Sequence, residues 1–219
     1  MTDADDVTTQ SSTVAEWTRA LAGSKGSPGG GAGTGVMLAI AASLASMVAG
    51  YTEPKEHQQE ELASLHARAR ALREDALQLA DDDAAASEAF GAAFHLDRGP
   101  ERDEAIHRAS VGAAKASAVL GERAVAAIDD LDWLASYGNP ALIADVVVGC
   151  GALRAAVAGA RTNVSFDLAT LRSAGATLEQ VREQHPALWA SVEQLSSALE
   201  RIDRLTAAVD DRAAPTDAG

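Results

Sequence analysis

Cysteine occurs once, at Cys150, so no intrachain disulfide can staple this chain, and a reducing compartment suits it. Aromatic residues are only 4% of the 219, and alanine dominates the apolar set instead. Runs of alternating Val, Ile, Thr and Tyr, which mark strands, are nearly missing. Alanine is the best helix former, so an all-α protein is expected. Lysine appears only at positions 25, 55 and 115, and 18 basic residues face 32 acidic ones, a formal net charge of −14. No basic stripe offsets that charge, which argues against nucleic acid as a partner and favours a cationic or neutral ligand in a local pocket. The opening MTDADDVTTQSS is acidic and polar, unlike a secretory or transit signal, and a cytoplasmic protein is expected. The apolar stretch Val36–Tyr51 is shorter than the ~20 residues that span a bilayer and is rich in Ala, Ser and Gly. A buried helix, with no membrane partner, is the expectation there.

The punctuation marks predict about six helices in one bundle. Residues 1–11 are expected as a disordered lead, 12–210 as a single helical domain and 211–219 as a flexible tail. Thr13 and Glu16 make a capping box, and Gly23 ends the short helix that follows. A second helix begins near Gly31 and stops at Thr52 and Pro54. The third is long, reaching the low 90s, and RGPERDE starts a fourth that runs to about Ala135. After the turn SYGNP a fifth runs from Pro140 to about Arg172. The last spans Thr177 to about Asp210 with one apolar stripe, Pro186 being its expected kink. The second and fifth are small-sided (AIAASLASMVAG and GCGALRAAVAGA), which suits helices at the centre of a bundle or at a subunit contact.

The segment GSKGSPGGGAGTG, from Gly23 to Gly35, precedes the second helix. It is not a dinucleotide fingerprint: from Gly29 or Gly31 the third glycine would fall on Thr34 or Val36, and no strand comes before it. It is not a P-loop, because Val36 stands where the lysine belongs. Two readings remain. Bare amides at a helix start admit a close ligand, or the glycines only permit a tight turn and close packing.

SPGGGAGTG followed by LAIAASLASMVAGYT resembles the proline–triple-glycine signature of the cyclodeaminase/cyclohydrolase family. That family comprises the cyclodeaminase half of formiminotransferase-cyclodeaminase and stand-alone methenyltetrahydrofolate cyclohydrolases. LADDDAAASEAF is similar to its next pattern, with Asp83 on the aspartate. GNPALIADVVVGCGALRAAVAGARTNVSFDL is similar to a third, with Asn139, Asp145 and Asn163 on matching positions. The likeness covers residues 13 to 205. It implies a helical homodimer doing one-carbon chemistry on tetrahydrofolate, with the folate as substrate and no further cofactor. The chain departs from the pattern at Ala32 (Ser in the family), Ser117 (Pro), Asp167 (Asn) and in lacking a Pro-Lys pair after the third helix. These departures leave room for a relative that keeps the bundle but not the turnover.

The first expected reaction is hydrolysis of 5,10-methenyltetrahydrofolate to 10-formyltetrahydrofolate, because no formiminotransferase domain accompanies this chain. Formimidoyltetrahydrofolate cyclodeamination is the second, and a non-catalytic folate-binding or interaction module the third. Both reactions pass through a carbon cation flanked by nitrogens, which a held carboxylate stabilises and deprotonates around. Asp83 and Asp145 are the catalytic candidates; Asp145 sits in the otherwise apolar ALIADVVVG, where a lone buried charge would need a partner or a pocket. Pro28, Gly29, Gly30, Gly31, Asn139, Asn163 and Lys25 are the substrate-binding candidates, with Lys25 placed for a folate glutamate tail. Asn139 also reads as a turn residue, Asn163 as a structural amide and Lys25 as a surface lysine. The five histidines show no ligand spacing and no metal is expected. Cys150, between two glycines, reads as a small buried apolar group.

Overall fold

A computed structural model describes residues 7–24, 26–173 and 177–213. Every regular element among them is helical. In order they are α1 (Val14–Leu21), α2 (Gly30–Gly50), α3 (Gln59–Phe94), α4 (Pro100–Tyr137), α5 (Ile143–Ser173), α6 (Leu178–Gln184) and α7 (Pro186–Ala213). Short 3-10 turns at Glu56–Gln58 and Pro140–Leu142 lead into α3 and α5. The predicted last helix is two, because His185 leaves helical geometry and Pro186 starts a new one. Thr13 with Glu16 and Thr177 with Gln180 close reciprocal capping boxes on α1 and α6.

α2 is the axis of the bundle, packed on α3, α5 and α4. Its sequence explains why. Eight of its ten buried positions are Gly, Ala or Thr, with Leu38 and Val48 the large ones. Small side chains let neighbours close in: a Cβ on Gly35 would press on Ala80 of α3, and one on Gly159 of α5 would strike Thr34. Leu44 faces Gly149 and Thr34 faces Gly159, so α5 runs antiparallel to α2. Gly31 faces Asp83 and Gly50 faces His66, so α3 does too. Both registers bring the first turn of α2 to the far halves of α3 and α5.

The core is leucine, valine and alanine, with Leu38, Leu65, Ile128, Leu153, Leu195 and Ile202 fully enclosed. Cys150 is buried there, and burial pushes its thiol up to about 11. Arg68 of α3 holds the buried Asp130 of α4 at 2.7 Å, offsetting part of the burial penalty on that carboxylate. Residues 7–11, part of the expected lead, are tied to α3: the Thr9 N–H donates to Asp81 at 2.6 Å, Gln10 Nε2 donates to Gln78, and Trp17 Nε1 donates to Thr9.

α2 and the span Pro140–Arg172 are each long and apolar enough to cross a membrane, with mean hydropathies of 1.8 and 1.9. The helix is 21 residues, longer than the apolar stretch counted from sequence, because its glycine-rich start is helical too. Met37, Ile40 and Met47 on α2, Tyr51 directly after it, and Val148 and Phe166 on α5 are exposed, an apolar face without a partner among the described residues.

Candidate active site

α2 starts on glycine and has no side-chain cap of its own. Its orphan amides therefore need partners from elsewhere. Asp83, from the middle of α3, supplies one: its carboxylate accepts from the Ala32 N–H. Gly31 is what lets it in, since a Cβ there would overlap the carboxylate. Ser87, one turn further along α3, also donates to Asp83. The negative charge lies at the positive end of α2, where the helix dipole favours it.

Around this contact is a cavity of about 400 Å³. Gly26, Gly29, Gly30 and Gly31 form one wall, Asp83, Ser87, Phe90 and Gly91 of α3 another. Ala113 and Ser117 come from α4, and Asn163, Phe166 and Asp167 from α5. Gly26 has φ +88°, a conformation that glycine reaches without strain. A Cβ at Gly30 would meet nothing within 4 Å, so backbone there is open to a ligand.

The electrostatics are unusual for an ordinary packing contact. Asp83 and Asp167 are each 7% exposed. Asp83 Oδ2 is buried with no hydrogen-bond partner. Burial raises Asp83 above the usual carboxylate range, with Ala32 and Ser87 pulling it back down. Asp167 is pushed up to about 7, first by burial and then by the charge of Asp83. Among the described residues lining the cavity there is no Lys or Arg.

The sequence-selected residues divide between two places. Gly29, Gly30, Gly31, Asp83 and Asn163 come together in the cavity. Pro28 does not line it but joins Gly26 to Gly29, after a cis Ser27–Pro28 peptide. Lys25 lies outside the described residues. Asn139 and Asp145 are at the other end of α2. Asn139 Nδ2 donates to the Tyr51 carbonyl at 3.0 Å and its Oδ1 accepts from the Ala141 N–H at 3.0 Å. Asp145 sits half-buried in the first turn of α5, suited to the positive end of that helix. From Asp145 to Asn163 is 18 residues of helix, about 27 Å at the usual rise.

Sequence reasoning noted Asp167 and Ser117 only as departures from a family pattern, yet both line the cavity. The helical period held the signal for Asp167. It is four residues beyond Asn163, so the two share one face of α5.

The sequence profile described as formiminotransferase-cyclodeaminase matches residues 13–186. The chain belongs to the formiminotransferase-cyclodeaminase family. The solved structure of formiminotetrahydrofolate cyclodeaminase from Thermotoga maritima superposes with a TM-score of 0.77 at 22% identity, covering 91% of this chain and 98% of that one. At that identity the likeness establishes a shared all-helical fold. No curated protein matches the chain.

Proposed function

We propose that this protein works in tetrahydrofolate one-carbon metabolism as a formimidoyltetrahydrofolate cyclodeaminase. The observation that carries the proposal is a buried carboxylate, Asp83, which has one unpartnered oxygen and stands in the lining of a cavity floored by bare glycine backbone. The formimino group on N5 is an amidinium when protonated. Ring closure by N10 yields a methenyl bridge and ammonia. Asp83 stabilises the cation and takes the N10 proton. The pteridine lies against Gly29–Gly31, with the Asn163 amide to hydrogen-bond it; among the described residues Asn163 makes no side-chain hydrogen bond of its own. An alanine-lined groove of about 490 Å³ between α3 and α4 adjoins the cavity at Ala113 and takes the aminobenzoyl portion. Arg108 lines that groove, ion-paired to Glu104 at 2.5 Å, and meets the glutamate carboxylate.

Support for deamination over hydrolysis comes from the family and from the activity named for the Thermotoga maritima structure. The test is incubation with 5-formimidoyltetrahydrofolate. Ammonia release with growth of the methenyl near-ultraviolet absorbance is expected. Decay of supplied methenyltetrahydrofolate without ammonia from the formimidoyl compound would make the protein a cyclohydrolase. Calorimetric folate binding without turnover of either compound would make it a non-catalytic folate module.

The exposed apolar face of α2 and α5 belongs to the same proposal: it is the surface on which two copies meet as a homodimer. α2 carries no charged residue, and its exposed Met37, Ile40 and Met47 repeat at helical spacing, a stripe that a two-fold axis can pair with itself. Phe166 extends that face to the cavity mouth. Light scattering should give twice the chain mass, and Ile40→Asp should halve it. A wild-type monomer, or detergent-dependent solubility, would overturn the homodimer.

A further inference from the structure

Two carboxyl groups share the cavity at the start of α2, but only one is held by the protein. Asp83 accepts from Ala32 and Ser87. Asp167 accepts no hydrogen bond from any described residue, although it is buried just as deeply. The unpartnered Oδ2 of Asp83 leaves the first carboxylate with capacity unused. α2 contributes no ionisable group. Of the charged residues on α3, α4 and α5, Asp83 is the one whose charge bears on Asp167. Lys115 of α4 acts on His185, and Arg154 of α5 pairs with Asp203 of α7. Lys25, next in sequence to the lining residue Gly26, lies outside the described residues. Two like charges in one desolvated space are costly, and a single proton between them relieves that cost.

We propose that Asp83 and Asp167 form a carboxyl dyad holding one proton, and that this dyad performs both proton transfers of the reaction. The proposal rests on the cyclodeaminase reading above. Asp83 begins ionised and Asp167 begins as the acid. The substrate enters with its formimino group protonated, as the amidinium. The N10 lone pair attacks its carbon, the C–N10 bond forms, and the C=N pair moves to the terminal nitrogen, leaving it a neutral amino group. The N10 proton passes to Asp83. Asp167 then gives its proton to the terminal amino group, the C–N bond breaks with its electrons on ammonia, and a nitrogen lone pair re-forms the double bond of the methenyl cation. The dyad enters with one proton on Asp167 and leaves with one on Asp83, so a transfer within the pair resets it. No net proton comes from water. Asparagine, the residue of the family pattern at position 167, has no acidic proton to give, so relatives that carry it must deliver this proton by another route and the dyad is a feature of this chain.

The experiment pairs a measurement on the empty protein with one on turnover. Carboxyl-selective NMR of protein labelled with ¹³C at aspartate is expected to show one carboxyl titrating near neutrality. Asp167→Asn should remove that titration; Asp83→Asn should lower the Asp167 titration only in part, because burial is the larger cause of its rise. On 5-formimidoyltetrahydrofolate, Asp167→Asn should lower kcat about 100-fold or more with little change in KM, and should erase the neutral limb of the pH–rate profile. Asp167→Glu should recover part of the rate. Circular dichroism checks that each variant keeps its helices. If every cavity carboxyl titrates in the acidic range, or if Asp167→Asn keeps the wild-type kcat and pH profile, the dyad is overturned. A neutral titration in a protein that turns over no folate would overturn the substrate reading instead and leave the shared proton standing.

Discussion

The two ends of α2 hold similar residues in opposite states. At its C-terminal end, Thr52 donates to the Val48 carbonyl and accepts from the Asn139 N–H, while both ends of the Asn139 amide are taken by backbone. Thr52 and Asn139 are thus occupied in joining α2 to the start of α5. At its N-terminal end, Asp83 retains a buried free oxygen and Asp167 has no hydrogen-bond partner among the described residues. Both ends contain an acid and an asparagine selected from sequence. What separates a joint from a site is whether the polar capacity is used up inside the protein. Unsatisfied groups are expensive when buried, so the buried free oxygen at the N-terminal end calls for a ligand.

The sharpest way to break this contrast is to remove the free carboxylate. Asp83→Asn should cut turnover by about 10²–10⁴, the usual share of a positioned acid–base group. Asparagine keeps an oxygen for the Ala32 amide, so α2 should remain capped and the fold intact. Steady-state ammonia release together with thermal melting checks both halves. Normal turnover would mean that Asp83 is only a cap supplied from another helix.

The next effect concerns stability rather than rate. Asp167 holds its proton up to about pH 7 when folded, against an ordinary aspartate value of 3.8. Between those values the folded state binds more protons than the unfolded one, so this group's contribution to stability falls as pH rises and levels off above neutrality. Asp167→Asn should therefore stabilise the protein by roughly 1–2 kcal/mol at about pH 8, with little change at about pH 4, after allowance for the open edge of the cavity. Urea unfolding at the two pH values reads it. The same variant would then lose turnover while gaining stability, the signature of a group strained for function.

At the other end the balance should invert. Asn139→Ala removes the cap of the turn before α5 and the tie to Tyr51, and should cost about 1–2 kcal/mol of stability while kcat stays unchanged. Chemical denaturation and kinetics on one preparation decide it. A loss of kcat with stability intact would move Asn139 from joint to site.

Much of the fold was legible in the sequence because its signals are local. The capping box at Thr13 and Glu16, the turn at Gly138–Pro140 and the small faces of α2 and α5 all act within a few residues. Pro186 was legible as a disturbance but not as a full break, since that depends on how α6 packs. The site was half legible. The glycines and Asp83 stood in recognisable segments, but pairing Asp83 with Asp167 depends on the antiparallel registers of α3 and α5 against α2. Those registers are set by tertiary fits, such as Gly31 against Asp83 and Gly159 against Thr34, which no single segment encodes. The glycine loop itself answers to both of its readings: Gly31 and Gly35 serve close packing, and Gly30 faces open space.

Asp145 is where local and tertiary signals diverge most, and it gives the smallest expected effect. An acid inside an apolar run suggests a pocket, but a first-turn position supplies another reason for it: its charge complements the exposed amides of α5. Within one protomer it is a bundle length from the paired carboxyls. Asp145→Asn should therefore cost only about 0.3–1 kcal/mol, the value of a charge at a helix start, and leave kcat within about twofold. The pair Asp83→Asn and Asp145→Asn, assayed side by side, isolates position from chemistry, since the same atoms change at each end of α2. A large loss of turnover at Asp145 would bring a second copy into the argument, because the exposed Val148 lies on the same helix and only an opposing subunit across that face can carry Asp145 toward a cavity.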